Sequence, residues 1–178
     1  MFKKRQLTNC LGWLIAILCC IPLSMSAANG GNSKDIYYFG EYHLGYGTSS
    51  SVNGYSTYTG NVLLGTVQGV RYKEYFQLGI GADAQMYTHY YKGQGIRYGV
   101  IGYGDARFSY PVTDEFFVTL GGSFGAQFPI KPSGGGNPFY MEIGPGLIYK
   151  NLLFKTGLQK IGSGDGTSHF IIKIGFHF

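Results

Sequence analysis

Twelve ionisable side chains of this sequence stand without a charged neighbour, in stretches rich in glycine and apolar residues. Groups of these types can act as general acids and bases, as metal ligands or as steps of an ion path. They can also form ion pairs with one another, which is how proteins usually accommodate charges away from water. The candidate residues are four carboxylates, five bases and three histidines, namely Glu41, Asp83, Asp105, Glu142, Arg71, Arg97, Arg107, Lys155, Lys173, His43, His169 and His177.

These residues follow the alternation of β-strands, in which successive side chains point to opposite faces. The stretch 168–178 shows the pattern most clearly, because His169, Lys173 and His177 alternate with large apolar residues. The apolar series comprises Phe170, Ile172, Ile174, Phe176 and Phe178. The charged residues are therefore predicted to share one face of their strands and the apolar residues the other.

Seven further stretches repeat this alternation, which predicts eight strands. Tight connections alternate with connections that are generally longer and rich in Ser, Gly and Asn, a layout typical of bacterial outer-membrane barrels. We therefore predict an all-β fold, an eight-stranded antiparallel up-and-down transmembrane β-barrel with both termini in the periplasm. The predicted strands cover 36–47, 58–72, 76–87, 96–110, 116–128, 139–149, 152–161 and 168–178.

Aromatic residues on the apolar face concentrate near both ends of the predicted strands. Tyr72 and Phe176 lie at one end, and Tyr46 and Phe128 at the other. Two such belts are typical of the two membrane interfaces. A soluble barrel that binds a hydrophobic ligand would turn its apolar face inward and has no need of outer belts.

Two strands depart from a clean alternation. In the second strand Gln68 falls on the apolar face and Val67 on the opposite face. In the sixth strand Pro145 occupies a central apolar-face position, where it removes a hydrogen bond of the ladder. We expect a β-bulge around Gly144–Pro145–Gly146.

The first 28 residues read as a cleaved signal peptide, followed by a barrel over 29–178. Lys3, Lys4 and Arg5 precede an uncharged, largely apolar run at 11–23, and small residues follow it. The run is too short for a membrane-spanning helix, which needs about 20 residues. All three cysteines lie in this segment without the usual lipoprotein pattern, so the mature chain is expected to lack cysteine.

Composition excludes several other classes of protein. Aromatic residues make up 17% of the chain and charged residues only 13%, which argues against disorder. A mean hydropathy near zero without a long apolar run after the signal argues against helical membrane spans. From residue 29 onward 11 Lys and Arg face 9 Asp and Glu, a net charge of +2, which is too weak for nucleic-acid binding.

Three segments, Gly69 to Tyr72, Leu78 to Ala82 and Tyr110 to Asp114, together with the final Phe178, carry a resemblance to known proteins. Through them the stretch 36–178 resembles the small outer-membrane barrels of the OmpA/OmpX type and the outer membrane protein beta-barrel domain families common in Bacteroidetes. The resemblance implies that the chain lies in a Gram-negative outer membrane among lipid and lipopolysaccharide. It also implies that Phe170, Ile172, Ile174, Phe176 and Phe178 form a signal for the barrel-assembly machinery.

An eight-stranded barrel has an interior just wide enough for its side chains. The inward charges are therefore predicted to pair into a plug that holds the strands in register. The alternative is a proton or ion path through the same residues. We expect no cofactor and no metal, since the histidines lack a metal-ligating spacing.

Catalysis is the other open alternative on this scaffold. Lipid A deacylases of similar size use a Ser and a His two positions apart on one strand face, whereas Ser168 and His169 are adjacent. The palmitoyltransferase type gathers His, Asp and Ser at the outer surface, and His89 stands alone in the second loop.

We therefore expect a non-enzymatic barrel with a plugged polar interior, serving envelope integrity or surface interaction. A lipid-A-modifying enzyme and a narrow ion or small-solute channel remain the alternatives. The outer-loop residues that could meet lipopolysaccharide or a partner are Tyr55, Tyr90, Tyr91, Lys92 and Lys131.

Overall fold

A computed structural model describes residues 35–49, 59–89, 97–131, 138–162 and 167–178. The predicted signal peptide and loop residues Tyr55, Tyr90, Tyr91 and Lys92 lie outside these ranges, as do the side chains of His89, Arg97 and Lys131. The strands are β1 (Ile36–Ser49), β2 (Thr59–Tyr72), β3 (Phe76–His89), β4 (Arg97–Thr113), β5 (Phe116–Lys131), β6 (Phe139–Tyr149), β7 (Leu152–Ile161) and β8 (Thr167–His177).

The eight strands form one closed antiparallel barrel in sequence order, with β8 paired to β1. The predicted all-β fold, an eight-stranded antiparallel up-and-down barrel, is confirmed. Three tight turns, at 73–75, 114–115 and 150–151, join strands at the end where β1 begins and β8 ends. We call this the turn end and the opposite end the loop end.

The strands are strongly staggered around the barrel. Following directly paired residues from Tyr38 once around the wall returns to β1 at Thr48, ten residues further along. For eight strands, this stagger corresponds to a strand tilt of about 40° and an interior that side chains fill. The path runs through Val70, Leu78, Ala106, Gly122, Ile143, Leu158 and Phe170.

The barrel has apolar residues outside and polar residues inside. Outward side chains such as Ile80 (75% exposed) and Phe124 (65%) lie open on the wall. Charged inward side chains such as Glu41 and Asp83 are fully buried. This distribution is opposite to that of a water-soluble barrel, and it suits a wall in contact with lipid. Within the described ranges, no helix is long and apolar enough to cross a membrane.

The irregular pattern of β2 has a structural explanation. Val67 points inward and is fully buried in the apolar part of the interior. On the outer wall the Gln68 amide accepts a hydrogen bond from the Tyr38 hydroxyl and donates one of 2.7 Å to Thr66. The polar side chain on the lipid-facing wall is thus paired within the wall.

The bulge that we expected at Pro145 is absent, and this prediction was wrong. Ile143 pairs with Leu158 and Gly146 with Lys155, so the register between β6 and β7 is the same on both sides of the proline. Pairing with β5 continues through Leu120 and Pro145. Pro145 therefore lacks a ladder partner on one side without shifting the strand.

Register shifts occur instead between β4 and β5. One lies between Tyr98 and Gly99, opposite Pro129, and the other between Pro111 and Thr113. At both places a proline, which cannot donate to the ladder, lies beside the irregularity. Because pairing resumes beyond them, β4 and β5 extend past the predicted ends at 110 and 128.

Inward glycines make room for the buried side chains. A Cβ atom on Gly81 would collide with the Tyr103 ring, and one on Gly65 would collide with the Asp83 carboxylate. On the outer wall, a Cβ on Gly104 would meet nothing closer than 3.9 Å. Absence of a side chain is therefore a packing requirement inside the barrel and not at this outer position.

Candidate functional site

The middle of the barrel holds a layer of charged side chains, which we call the charge layer. Each member points inward because it occupies one of the alternate strand positions whose side chains face the interior. The residues come from β1, β3, β4, β6, β7 and β8. The layer contains seven of the nine charged residues selected from the sequence. They are Glu41, Asp83, Asp105, Glu142, Arg107, Lys155 and Lys173.

One half of the charge layer is organised around Arg107. Its guanidinium lies 2.8 Å from Glu41 Oε2 and 3.1 Å from Asp105 Oδ2. Asp105 also accepts a 2.8 Å hydrogen bond from Ser123 and has Lys155 Nζ at 3.7 Å. The planar guanidinium thus links two carboxylates on different strands, as arginine geometry allows.

The other half is organised around Lys173. Its ammonium lies 2.8 Å from Glu142 Oε2 and 3.3 Å from Asp83 Oδ2. Tyr103 donates a 2.7 Å hydrogen bond to Asp83, and Tyr140 donates one of 2.6 Å to Glu142. Each carboxylate therefore has both a cation and a hydroxyl donor.

His43 connects the two halves. Its Nδ1 lies 3.1 Å from Glu41 Oε1 and its Nε2 lies 3.1 Å from Asp83 Oδ1. The Nε2 contact is a hydrogen bond, whereas the Nδ1 contact lies at ion-pair distance without hydrogen-bond geometry. Arg107, Lys155 and Lys173 supply three cations for the four carboxylates of the layer, and a protonated His43 would supply the fourth.

One of the other two charged residues selected from the sequence lies apart from the layer, and the side chain of the second is not described. Arg71 lies at the turn end of β2 and is partly exposed, with no described carboxylate in ion-pair distance. Arg97 begins β4 at the loop end, and its side chain is outside the described part of the chain. His177, near Arg71, stacks its ring on Phe39 at a centroid distance of 5.6 Å.

A second polar group lies inside the barrel at the loop end, where amides and aromatic rings replace charges. Asn61 donates a 2.9 Å hydrogen bond to Gln159, and Gln127 donates one of 2.6 Å to Gln85. The His169 ring lies against Tyr87, and neither of its nitrogens has a hydrogen-bond partner among the described residues. Toward the turn end these residues are followed by the buried apolar side chains Leu63, Ile101 and Ile171.

Sequence reasoning missed the hydroxyl groups that complete the charge layer. Tyr103, Tyr140 and Ser123 occupy inward-facing alternate positions of their strands, as the charged residues do. This alternation was the signal that could have identified them. Parity does not show which inward residues touch, because contacts across the interior depend on the stagger of the strands.

Ser168 and His169 lie on opposite sides of the wall, as their adjacency predicts. Ser168 is exposed outside and His169 is buried inside. Their side chains therefore cannot act on one substrate together in this fold. Among the described residues, no three or more His, Cys, Asp or Glu side chains form a group that could hold a metal ion.

The predicted assembly residues of β8 and the C-terminus all point outward. Phe170, Ile172, Ile174, Phe176 and Phe178 are each at least 40% exposed. Phe178 lies over Gly40 on β1, and the backbones of these two residues exchange hydrogen bonds of 2.8 and 2.9 Å. The Phe178 ring fills the space left by the absent Gly40 side chain and contacts Tyr42.

Outer-membrane proteins are among the solved structures that match this chain. The outer membrane enzyme PagL superposes with a TM-score of 0.55 at 13% sequence identity, over 76% of this chain and 97% of PagL. The Yersinia pestis outer membrane protein Ail gives a TM-score of 0.43 at 12% identity, over 80% of this chain and all of Ail. No family model matches the sequence, and no curated protein matches it significantly.

The closed barrel, its apolar outer wall and the similarity to PagL define the class of fold. The chain has the fold of a small eight-stranded outer-membrane β-barrel. At 13% identity the similarity concerns the fold alone.

Proposed function

We propose that this chain is an integral outer-membrane protein without enzymatic activity, whose interior is a plug. In this proposal the turn end and both termini face the periplasm, and the four loops face the outside. The protein serves envelope integrity or surface interaction through these loops. The partners are outer-membrane lipid, lipopolysaccharide and, during insertion, the barrel-assembly machinery.

The observation that carries the proposal is the mutual pairing of the interior charges. Every carboxylate of the charge layer has a described cation within 4 Å. Leu63, Ile101 and Ile171 add a buried apolar section on the loop side. An ion entering this interior would have to break buried pairs, each of which costs several kcal/mol to disrupt, about 3–5. The interior therefore favours a structural role over transport.

A heat-modifiability gel on isolated outer membranes tests the location and the fold together. A folded barrel migrates at a different position before boiling than after it. We expect such a shift for this chain in the outer-membrane fraction. Recovery of the protein in the soluble periplasmic fraction would contradict the proposal.

Planar-bilayer recording with the purified barrel tests the plug. We expect no sustained conductance in potassium chloride, because the charge layer and the apolar section close the interior. Steady unitary currents would instead support the narrow-channel alternative.

A lipid-A-modifying enzyme is the second candidate, and the similarity to PagL, itself an outer membrane enzyme, favours keeping it. An activity of this kind would have to use residues other than a Ser168–His169 pair. Mass spectrometry of lipid A from cells with and without the gene discriminates the two. Unchanged lipid A is expected, and a gene-dependent change in acylation would establish the enzyme.

A further inference from the structure

Among the outer-wall side chains that the structure describes, one is charged. At the outward positions of β1 to β8 the described side chains are apolar or neutral polar, except for Lys160 on β7; Lys131 pairs with the outward Tyr98, and its side chain is not described. A lysine on a lipid-facing wall is costly at the membrane centre and tolerable near an interface, where the ammonium can reach the headgroups. The position of Lys160 along its strand therefore determines whether its ammonium contacts hydrocarbon or lipid headgroups.

Lys160 lies next to the last residue of β7, at the loop end. Its direct neighbours across the ladder are Met141 on β6 and Ser168 on β8. Phe139 lies two residues beyond Met141 toward the loop end, and Phe170 lies two residues beyond Ser168 toward the turn end. The lysine thus stands within the aromatic belt at the loop end, at an interface and not at the centre.

Lys160 and Ser168 can act on one group together. Directly opposed residues of an antiparallel pair have Cβ atoms about 5 Å apart, and both side chains point outward. The Ser168 side chain is exposed, and Lys160 is partly exposed with no described carboxylate in ion-pair distance. An ammonium and a hydroxyl offer several donors to an acceptor-rich anion, for which phosphate is the common case at a membrane surface.

We propose that Lys160 and Ser168 bind the phosphate group of an outer-leaflet lipid. The inference rests on the proposed outer-membrane location, with the loop end outside. Leu158 and Phe170, both well exposed beside the pair, contact the acyl chains of the same lipid. The phosphate and acyl contacts together distinguish a lipid from free phosphate as the ligand.

Lys150 provides a matched control for the test. It is an exposed lysine in the turn between β6 and β7, at the other end of the barrel. Its ammonium lies 3.4 Å from Glu115 and 5.6 Å from the centroid of the Tyr149 ring. Because it already has a carboxylate partner, it is not expected to contribute to the lipid site.

Native mass spectrometry of the detergent-solubilised barrel measures the binding directly. The probes are dioleoyl phosphatidic acid, which has a phosphomonoester, dioleoylglycerol, which lacks it, and inorganic phosphate as a competitor. The proteins are the unaltered chain, Lys160→Met, Ser168→Ala and Lys150→Met. Methionine preserves the apolar stem of lysine, and a heat-modifiability gel of each variant verifies that the barrel is folded.

We expect phosphatidic acid to bind the unaltered barrel at least fivefold more tightly than dioleoylglycerol, with little competition from millimolar inorganic phosphate. Lys160→Met should weaken this binding about fivefold or more, the effect of one lysine at an anionic surface. Ser168→Ala should weaken it about threefold through loss of one hydrogen bond. Lys150→Met should bind as the unaltered chain does.

Equal binding of phosphatidic acid by folded Lys160→Met and the unaltered barrel would overturn the inference, as would equal binding of the two lipids. Full competition by inorganic phosphate would overturn the assignment to a lipid. In each case a retained gel shift would leave the outer-membrane proposal standing. Absence of the gel shift in the unaltered chain would overturn both.

Discussion

The ammonium of Lys173 on β8 lies 2.8 Å from the carboxylate of Glu142 on β6, although β7 separates these strands in the wall. The same ammonium reaches Asp83 on β3 at 3.3 Å. Lys173 therefore ties the last strand to two distant parts of the barrel through the interior. The backbone ladder connects only neighbouring strands, so this contact adds a constraint that the ladder lacks.

Lys173→Met should strongly destabilise the barrel. The substitution leaves Asp83 and Glu142 buried without their shared cation, and loss of one partner of a buried pair costs about 3–5 kcal/mol. The urea midpoint of the heat-modifiable band, measured in lipid vesicles, reports the change. Lys150→Met is the control, since it removes an ion pair in which both side chains are more than half exposed. Such a pair is worth about 0–1 kcal/mol.

A second substitution that removes the charge of one carboxylate should restore part of the stability lost in Lys173→Met. Combining it with Glu142→Gln removes one of the two uncompensated charges, so the double variant should unfold at higher urea than the single variant. If the double variant were less stable by the sum of both single effects, the charges would not be coupled.

Substitution of glycine by alanine should destabilise the barrel at an inward position and leave it unchanged or more stable at an outward position. On Gly125 a Cβ atom would collide with the backbone of β4, so Gly125→Ala should cost about 1–3 kcal/mol by overpacking. Gly104 on the adjacent strand has open space outside, so Gly104→Ala should be neutral or stabilise by about 0.5–1 kcal/mol. Urea titration of both variants tests the assignment of faces. Equal losses in the two would contradict it.

A charged side chain on the outer wall should lower the free energy of unfolding more strongly the deeper it lies in the membrane. Ile143 is 56% exposed and lies near the middle of β6, paired with Gly122 and Leu158. Ile143→Arg should cost about 2–4 kcal/mol in a bilayer, because arginine at the midplane contacts hydrocarbon. Tyr110, which is 60% exposed, lies near the turn end, and Tyr110→Arg should cost about 0–1 kcal/mol.

Unfolding titrations of both variants in vesicles check this difference. A barrel whose wall faces water would tolerate both substitutions equally, so equal stabilities would argue against a membrane-embedded wall.

Gly40 and Phe178 should be energetically coupled at the seam between β1 and β8. A Cβ atom on Gly40 would lie 2.5 Å from the Phe178 ring, so Gly40→Ala must displace the ring. Phe178→Ala removes the ring and with it the collision. In a double-mutant cycle, the Gly40→Ala substitution should therefore cost less in the Phe178→Ala background by about 0.5–3 kcal/mol. Additive effects would show that the ring moves aside freely.

Alternation in the sequence was sufficient to predict the eight strands and the face of nearly every residue. The bounds of β6 and β7 agree with the prediction, since turn residues delimit both strands. β4 and β5 run beyond the prediction because their prolines at 111 and 129 lie beside register shifts without ending the pairing. Pro145 was predicted to cause a bulge and does not, because the ladder omits its bonds and resumes in the same register.

The sequence by itself determined that Glu41, Asp83, Glu142 and Lys173 point into the barrel, because a period of two assigns a face to each strand residue. Only the tertiary structure decided that Lys173 meets Glu142 and Asp83, while Arg71 meets no described carboxylate. Those contacts depend on how the strands are staggered around the closed wall, a ten-residue offset to which each strand pairing contributes. Parity is a local property, whereas the offset exists only when the barrel closes.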